Sequence, residues 1–294
     1  MSAGTNTMRL PAATASRARV RAHLLENLFW YVILSLIASI TILPFLWVLL
    51  TSLKGPLDAV YSVPPQFIPH DFTLANYIRV WTLLPVANFF VNSVVVAVVT
   101  VVLNVLFTSL AAYPFAKMSF PGRDLIFYLL LATFIVPPQL TFIPSFILAV
   151  NVFHYYNTLF ALIFPSLATV FNIFLLRQAF KAVPNDLIDA ARIDGANELR
   201  IWWGVVLPVI RPSLATAAIF TFVNSWNDFF WPSLMLKTRQ NMTLPVGLVA
   251  LQGAFSSDTR AVAAGVVLTV IPILIVFITL QRQFVRGLSG AVKG

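Results

Sequence analysis

Apolar side chains fall in long unbroken runs, not in an alternating or one-faced pattern. Six runs, at residues 29–53, 89–113, 125–150, 159–176, 213–236 and 261–280, each carry at most one charged side chain. Crossing about 30 Å of hydrocarbon takes roughly 20 apolar residues in a helix. Backbone polar groups must pair internally there, which favours helices. The alternation of a transmembrane β-barrel strand is missing. The pattern predicts an all-α fold, a polytopic membrane bundle of six transmembrane helices.

The connecting segments refine this picture. Arg9, Arg17, Arg19 and Arg21 precede the first run in the manner of a secretory signal. The run is too long for a signal core, however, and no small-residue cleavage site follows it. It reads as a retained span at 27–54 behind an N-terminal arm at 1–26, whose first 20 residues are expected to lack regular structure. Residues 55–88 form a loop holding Pro64, Pro65 and Pro69, with room for a short surface helix. A tight turn at 114–124 contains Pro121 and Gly122, and 151–158 is a shorter turn. In the third run Pro137, Pro138 and Pro144 must interrupt the helical hydrogen bonds. The resulting kink either lines a cavity or is a tolerated distortion. The longest internal loop, 177–212, lies between the fourth and fifth runs.

Composition agrees with lipid as the solvent. Of 294 residues, 59% are hydrophobic and 10% charged, and mean hydropathy is +0.88; a soluble domain carries about 25% charged residues. The net charge of +9 raises the question of nucleic acid. The basic residues form no aromatic-interleaved patch, and their distribution has another explanation. With the N-terminus inside, fourteen of the 19 Lys and Arg residues fall in inner segments and five (Lys54, Arg79, Lys237, Arg239 and Arg260) in outer ones. The positive-inside rule thus places both termini and the loop 177–212 in the cytoplasm. With no cysteine in the chain, thiolate metal sites, cysteine nucleophiles and disulfides are excluded.

The inner loop has its own helical pattern. Pro184, Asn185 and Asp186 suit a helix start, and Leu187, Ala190, Ala191 and Ile193 form an apolar side. Gly195 can take positive φ and turn the chain. A second short helix carries Leu199, Trp202 and Val206, with Pro208 and Pro212 expected to stop it. A short helix with small side chains, lying along the membrane, suits docking. By physics alone it could equally be a connecting loop at the interface.

The loop resembles the EAA loop of bacterial ABC importer permeases. Asp189, Ala190 and Ala191 stand for EAA; Asp194, Gly195 and Ala196 follow; Trp202 holds the aromatic position; Leu207 and Pro208 close the motif. The departure is Asp189 for Glu, one methylene shorter. Further segments resemble the carbohydrate branch, similar to the shorter maltose-type and the glycerol-phosphate-type permeases. They are Phe90-Val91-Asn92-Ser93, the stretch from Phe222 to Phe230, Thr243-Leu244-Pro245-Val246-Gly247-Leu248, and a tail with Phe284-Val285-Arg286-Gly287 and Gly290 to Gly294.

The resemblance implies a type I importer permease (MetI-like) fold, with a transmembrane core at 89–281 and a cytoplasmic tail at 282–294. It implies a half-pore without enzymatic chemistry, working with a second homologous permease subunit, an ABC ATPase dimer and a periplasmic or lipid-anchored solute-binding protein. No cofactor is expected on this chain; ATP and Mg would sit on the ATPase. The loop would be the coupling helix, and Val292–Gly294 would reach toward the ATPase interface.

Polar side chains within spans are expensive and commonly functional. Asn224, Trp226, Asn227 and Asp228 in the fifth run are the candidate substrate-pathway residues, since a ring face stacks on sugar C–H groups while amides and carboxylates bond hydroxyls. Equally, the two asparagines could tie helices together and Asp228 could lie near the interface. Asn92, Asn104 and Asn172 read as interhelical ties. His23, His70 and His154 are too scattered for a metal site. Two other function classes remain as competitors. A stand-alone transporter or channel would need ionisable coupling residues in its spans, and Asp228 is nearly alone there. A membrane enzyme would need a nucleotide loop, HExxH or Ser/His/Asp set, and the sequence has none.

Overall fold

The computed structural model describes residues 12–254 and 258–292. The chain begins with α1 (Ala12–Ser52), followed by the short α2 (Ala75–Leu83) and the long α3 (Val86–Lys117). Next come α4 (Arg123–Ala132), α5 (Pro138–Ile147), α6 (Phe160–Ile163) and α7 (Val170–Lys181). The internal loop folds as α8 (Asn185–Ile193), α9 (Glu198–Ile201), a π-helical turn at Trp202–Val206 and α10 (Leu207–Val209). Then follow α11 (Arg211–Asn227), α12 (Phe230–Met235), α13 (Leu244–Ala254) and α14 (Thr259–Val292). The described residues contain no β-strand, as the apolar runs predict.

Among the described residues, three helical stretches are long and apolar enough to cross a membrane: Glu26–Ser52, Val86–Lys117 and Thr259–Thr279. Three more form only as bent pairs. Arg123–Ile135 meets Pro138–Val152 at 98°, Phe160–Ser166 meets Val170–Lys181 at 44°, and Glu198–Val209 meets Arg211–Asn227 at 86°. Counting each pair as one span gives up to six. The first bend falls where Val136 and Pro137 are extended, just before Pro138 opens α5. Proline cannot donate to the preceding turn and restricts the residue before it.

The structure departs from the sequence pattern in three places. Residues 12–20, expected to lack regular structure, continue α1; residues 1–11 lie outside the described residues. The run 213–236 is not one helix, because the chain opens at Asp228 and restarts as α12. Pro208 does not stop the second loop helix but lies within α10, and the chain turns at Ile210. Proline at the first turn of a helix loses no bond that the helix would have made.

The helix α3 is the hub, packing against α7, α11 and α13. A buried polar knot ties its middle to two neighbours. Asn172 Nδ2 donates to Asn104 Oδ1 (2.6 Å) and Thr221 Oγ1 (2.8 Å). Asn104 Nδ2 donates to the Ser166 carbonyl at 2.7 Å. These are the interhelical ties expected of Asn104 and Asn172. By contrast α1, which packs along α14, leaves Phe29, Leu36, Ile40 and Phe45 exposed. Such a surface needs lipid or another protein around it.

At one end of α3, residues 54–84, 236–254 and 258–260 assemble into a cap; this is the α13 end. Lys54 is fully buried, donating to the carbonyls of Ala59 (3.2 Å) and Gln66 (2.6 Å) with its ammonium 4.9 Å from the Trp47 ring centre. Arg79 pairs with Asp258 at 2.6 Å, and Arg260 donates to the Asp58 carbonyl. Asn92 Nδ2 donates to the carbonyls of Gln240 (2.7 Å) and Met242 (3.0 Å), and Ser93 Oγ accepts the Leu244 N–H. Phe90-Val91-Asn92-Ser93 and Thr243-Leu244-Pro245-Val246-Gly247-Leu248 are therefore the two halves of one joint. The other end of α3 carries the internal loop.

Candidate functional site

The helix α8 starts after Pro184, whose backbone is extended (ψ 136°). Asp186 lies in its first turn and Arg192 in its last, both favourable to the helix dipole. Gly195 follows with φ +81°, a left-handed conformation that glycine adopts without steric cost. The Ala196 N–H then bonds back to the Ala191 carbonyl at 3.0 Å. Asn197 restarts the chain as an N-cap, its Oδ1 accepting the Arg200 N–H at 2.9 Å. This cap escaped the sequence reading, although Asn197 followed by a Glu and an apolar residue was a usable signal.

Ile188 is the buried residue of α8, at 2% exposure, in the cluster that contains Phe180, Trp202 and Val206, and Ala191 packs against that cluster. Leu187, Ala190 and Ile193 face outward, with Ile193 86% exposed. Tertiary packing set the helical phase. Trp202 is buried in the cluster containing Tyr113, Phe180 and Ile201, as an anchor of the second helix should be. Its neighbour Trp203 is exposed and was missed by sequence reasoning. Asp189, Asp194 and Pro208 are exposed, while Ala196 and Leu207 are half-buried. The loop therefore presents acidic groups, a glycine turn and outward Leu187, Ile193, Leu199 and Trp203 on a buried base.

Polar links hold this loop to α3. Lys117 Nζ donates to the Val183 carbonyl (2.5 Å) and to Asn185 Oδ1 (2.7 Å). The Tyr113 hydroxyl donates to Glu198 Oε2 at 2.7 Å, and Arg192 pairs with Glu198 Oε1 at 2.9 Å and Asp189 Oδ1 at 3.1 Å. The hydrogen bond to Glu198 raises the Arg192 pKa above its ordinary value, so the group stays cationic. A cleft of about 450 Å³ between α3 and α8 is lined by Lys117, Arg123, Asn185, Asp189, Arg192 and Glu198 among others.

The four residues 224–228 do not form a single constellation. Trp226 is buried at 1% exposure; its ring stacks on Phe222 with centroids 5.6 Å apart and its indole N–H donates to the Thr269 carbonyl at 3.1 Å. Asn224 and Asn227 are exposed. Asn227 and Trp226 line a cavity of about 210 Å³ with Leu248, Val262, Val266 and Thr269. Asp228 is half-buried and accepts the Trp231 N–H at 3.3 Å, capping α12. No group of three or more His, Cys, Asp or Glu side chains that could hold a metal occurs among the described residues.

Apolar helices around a polar-knotted hub, with an outward-facing loop bolted to one end, define a multi-pass membrane transport subunit. The family model for the binding-protein-dependent transport system inner membrane component matches residues 104–290, and the chain belongs to that family. It is a family of ABC transport subunits, not enzymes; the ATPase is a separate partner. The chain is 37% identical over 261 residues to the arabinooligosaccharides transport system permease protein AraQ of Halalkalibacterium halodurans, covering 88% of this chain and 93% of that one. It is 33% identical over 270 residues to the lactose transport system permease protein LacG of Rhizobium radiobacter, covering 92% and 97%. The fold is that of a bacterial ABC transporter chain involved in import of the acidic polysaccharide alginate, at TM-score 0.76 and 24% identity, covering 95% of this chain and all of that one.

Proposed function

We propose that the chain forms half of the pore of an ATP-driven, binding-protein-dependent carbohydrate importer. The carrying observation is the α8 loop. It lies inside the family match and shows an outward apolar and acidic face around Gly195 while its base is bonded to a membrane helix. In this reading α8 is the coupling helix, and Asp189, Ala190, Ala191, Asp194, Gly195 and Ala196 meet the ATPase, with Trp202, Leu207 and Pro208 supporting them. ATP and Mg belong to that partner. The transmembrane core is assigned to 89–281, with both termini and the α8 end in the cytoplasm, supported by fourteen inner against five outer Lys and Arg residues. The role assigned to Val292–Gly294 falls on side chains outside the described residues.

Sugar as the solute is supported by the names of the relatives, which include permeases for arabinooligosaccharides, diacetylchitobiose and lactose. Asn224 and Asn227, exposed on α11, are assigned to the solute pathway, with Trp226 and Asp228 setting the local geometry. The test is reconstitution in lipid vesicles with the partner permease, ATPase and binding protein. Uptake of arabinotriose, lactose, raffinose or diacetylchitobiose is expected to require ATP and the binding protein. Transport by this chain alone, without ATP, would overturn the reading.

A further inference from the structure

We infer that Tyr113, Glu198 and Arg192 form the link through which the α8 loop moves α3, and that α3 carries that motion as a rod to the α13 end. The inference rests on α8 being the ATPase-docking helix. The loop is bonded to α3 at both ends of α8: Lys117 holds its start through Val183 and Asn185, and the Tyr113 hydroxyl holds the segment after it through Glu198. Glu198 is the branch point, since one carboxylate oxygen accepts from Tyr113 and the other from Arg192 of α8. Arg192 in turn reaches Asp189 on the outward face. A push on Asp189 thus has a side-chain path to α3 that bypasses the Gly195 turn.

The path continues because α3 is one helix from Val86 to Lys117. From Tyr113 to Asn92 it spans roughly 30 Å at 1.5 Å per residue. At its far end Asn92 and Ser93 grip the segment 240–244, and Phe89 lies against Gly247. Tyr113 and Glu198 are positioning residues and touch neither solute nor nucleotide.

The chain has no cysteine, so one can be added as a reporter. Gln240 is exposed beside the Asn92 contact. In the assembled complex in lipid vesicles, Gln240→Cys is labelled with a membrane-impermeant maleimide, with and without ATP plus vanadate. The reporter alone is expected to change its labelling rate on ATP addition. Adding Tyr113→Phe or Glu198→Gln is expected to reduce that change by roughly two- to thirty-fold, the range for residues along a coupled network. Co-purification of the ATPase and basal ATP hydrolysis should remain at the parent level. The double variant should be no worse than the worse single one, since both cut the same link. A full ATP response in either single variant, or losses that add in the double variant, would overturn the link. No ATP response in the reporter alone, despite a complete complex, would overturn the transmission along α3, whereas failure of the ATPase to assemble with a chain whose α8 is intact would instead overturn the docking role of α8.

Discussion

The two ends of α3 are joined to their loops by different physics. At the α13 end the joint adds close apolar packing to its hydrogen bonds: Phe89 is fully buried, and a Cβ placed on Gly247 would lie 2.3 Å from its ring. At the α8 end the links are ionic and partly wet, with the Arg192 side chain 42% and Glu198 38% exposed. Interdigitated apolar joints admit few alternatives. Charged, solvent-screened links can change partners at small cost. If α8 docks the ATPase as proposed, the adjustable links lie at the end that the motor engages and the fixed joint at the far end.

The strongest way to break this contrast is Gly247→Val. The added carbons cannot fit against Phe89 without moving α13 off α3. Overpacking of this kind costs about 1–3 kcal/mol and occasionally more. The expected outcome is a large drop in the melting temperature of the detergent-solubilised chain, partly restored when Phe89→Ala is added. Unchanged melting would mean that the joint is looser than the packing implies.

The middle of the rod gives the next largest effect. Asn104→Ala removes the acceptor that Asn172 and Thr221 share. Interhelical hydrogen bonds within membranes average about 0.6 kcal/mol and reach about 1.7; loss of a shared node should lie near the upper figure. A modest fall in melting temperature is expected, with ATPase co-purification retained.

Much of this architecture was legible in the sequence. The apolar runs located the long helices, Pro137 and Pro138 located the sharpest bend, and the spacing from Asp189 to Pro208 located the loop. What was hidden depends on partners distant in sequence. Residues 244–254 lie between the last two apolar runs, where no span was expected. They fold as α13 because Ser93 takes its first N–H and Phe89 fills the glycine's missing side chain. Which side of α8 is buried was not legible because Leu187 and Ile188 are equally apolar, and only the tertiary cluster around Phe180 and Trp202 decides which is covered. The polar stretch 224–228 read as one cluster, yet Trp226 turns inward to Thr269 while the helix opens at Asp228.

The smallest expected effect on stability, and the most informative about the α8 end, is at Gly195. A Cβ there meets nothing within 4 Å, so the glycine is required by its φ of +81° and not by space inside this chain. An ordinary side chain in the left-handed region costs about 1–2 kcal/mol, whereas Asn visits it routinely. Gly195→Val should therefore leave membrane insertion intact and lower melting by no more than this strain, but lower sugar uptake per ATP hydrolysed. Gly195→Asn, similar in bulk, should keep most of the uptake. Equal loss in both variants would point to a different cause, namely that the partner needs the bare backbone at this turn. The α8 end would then be as closely fitted in the complex as the Phe89 joint is within the chain.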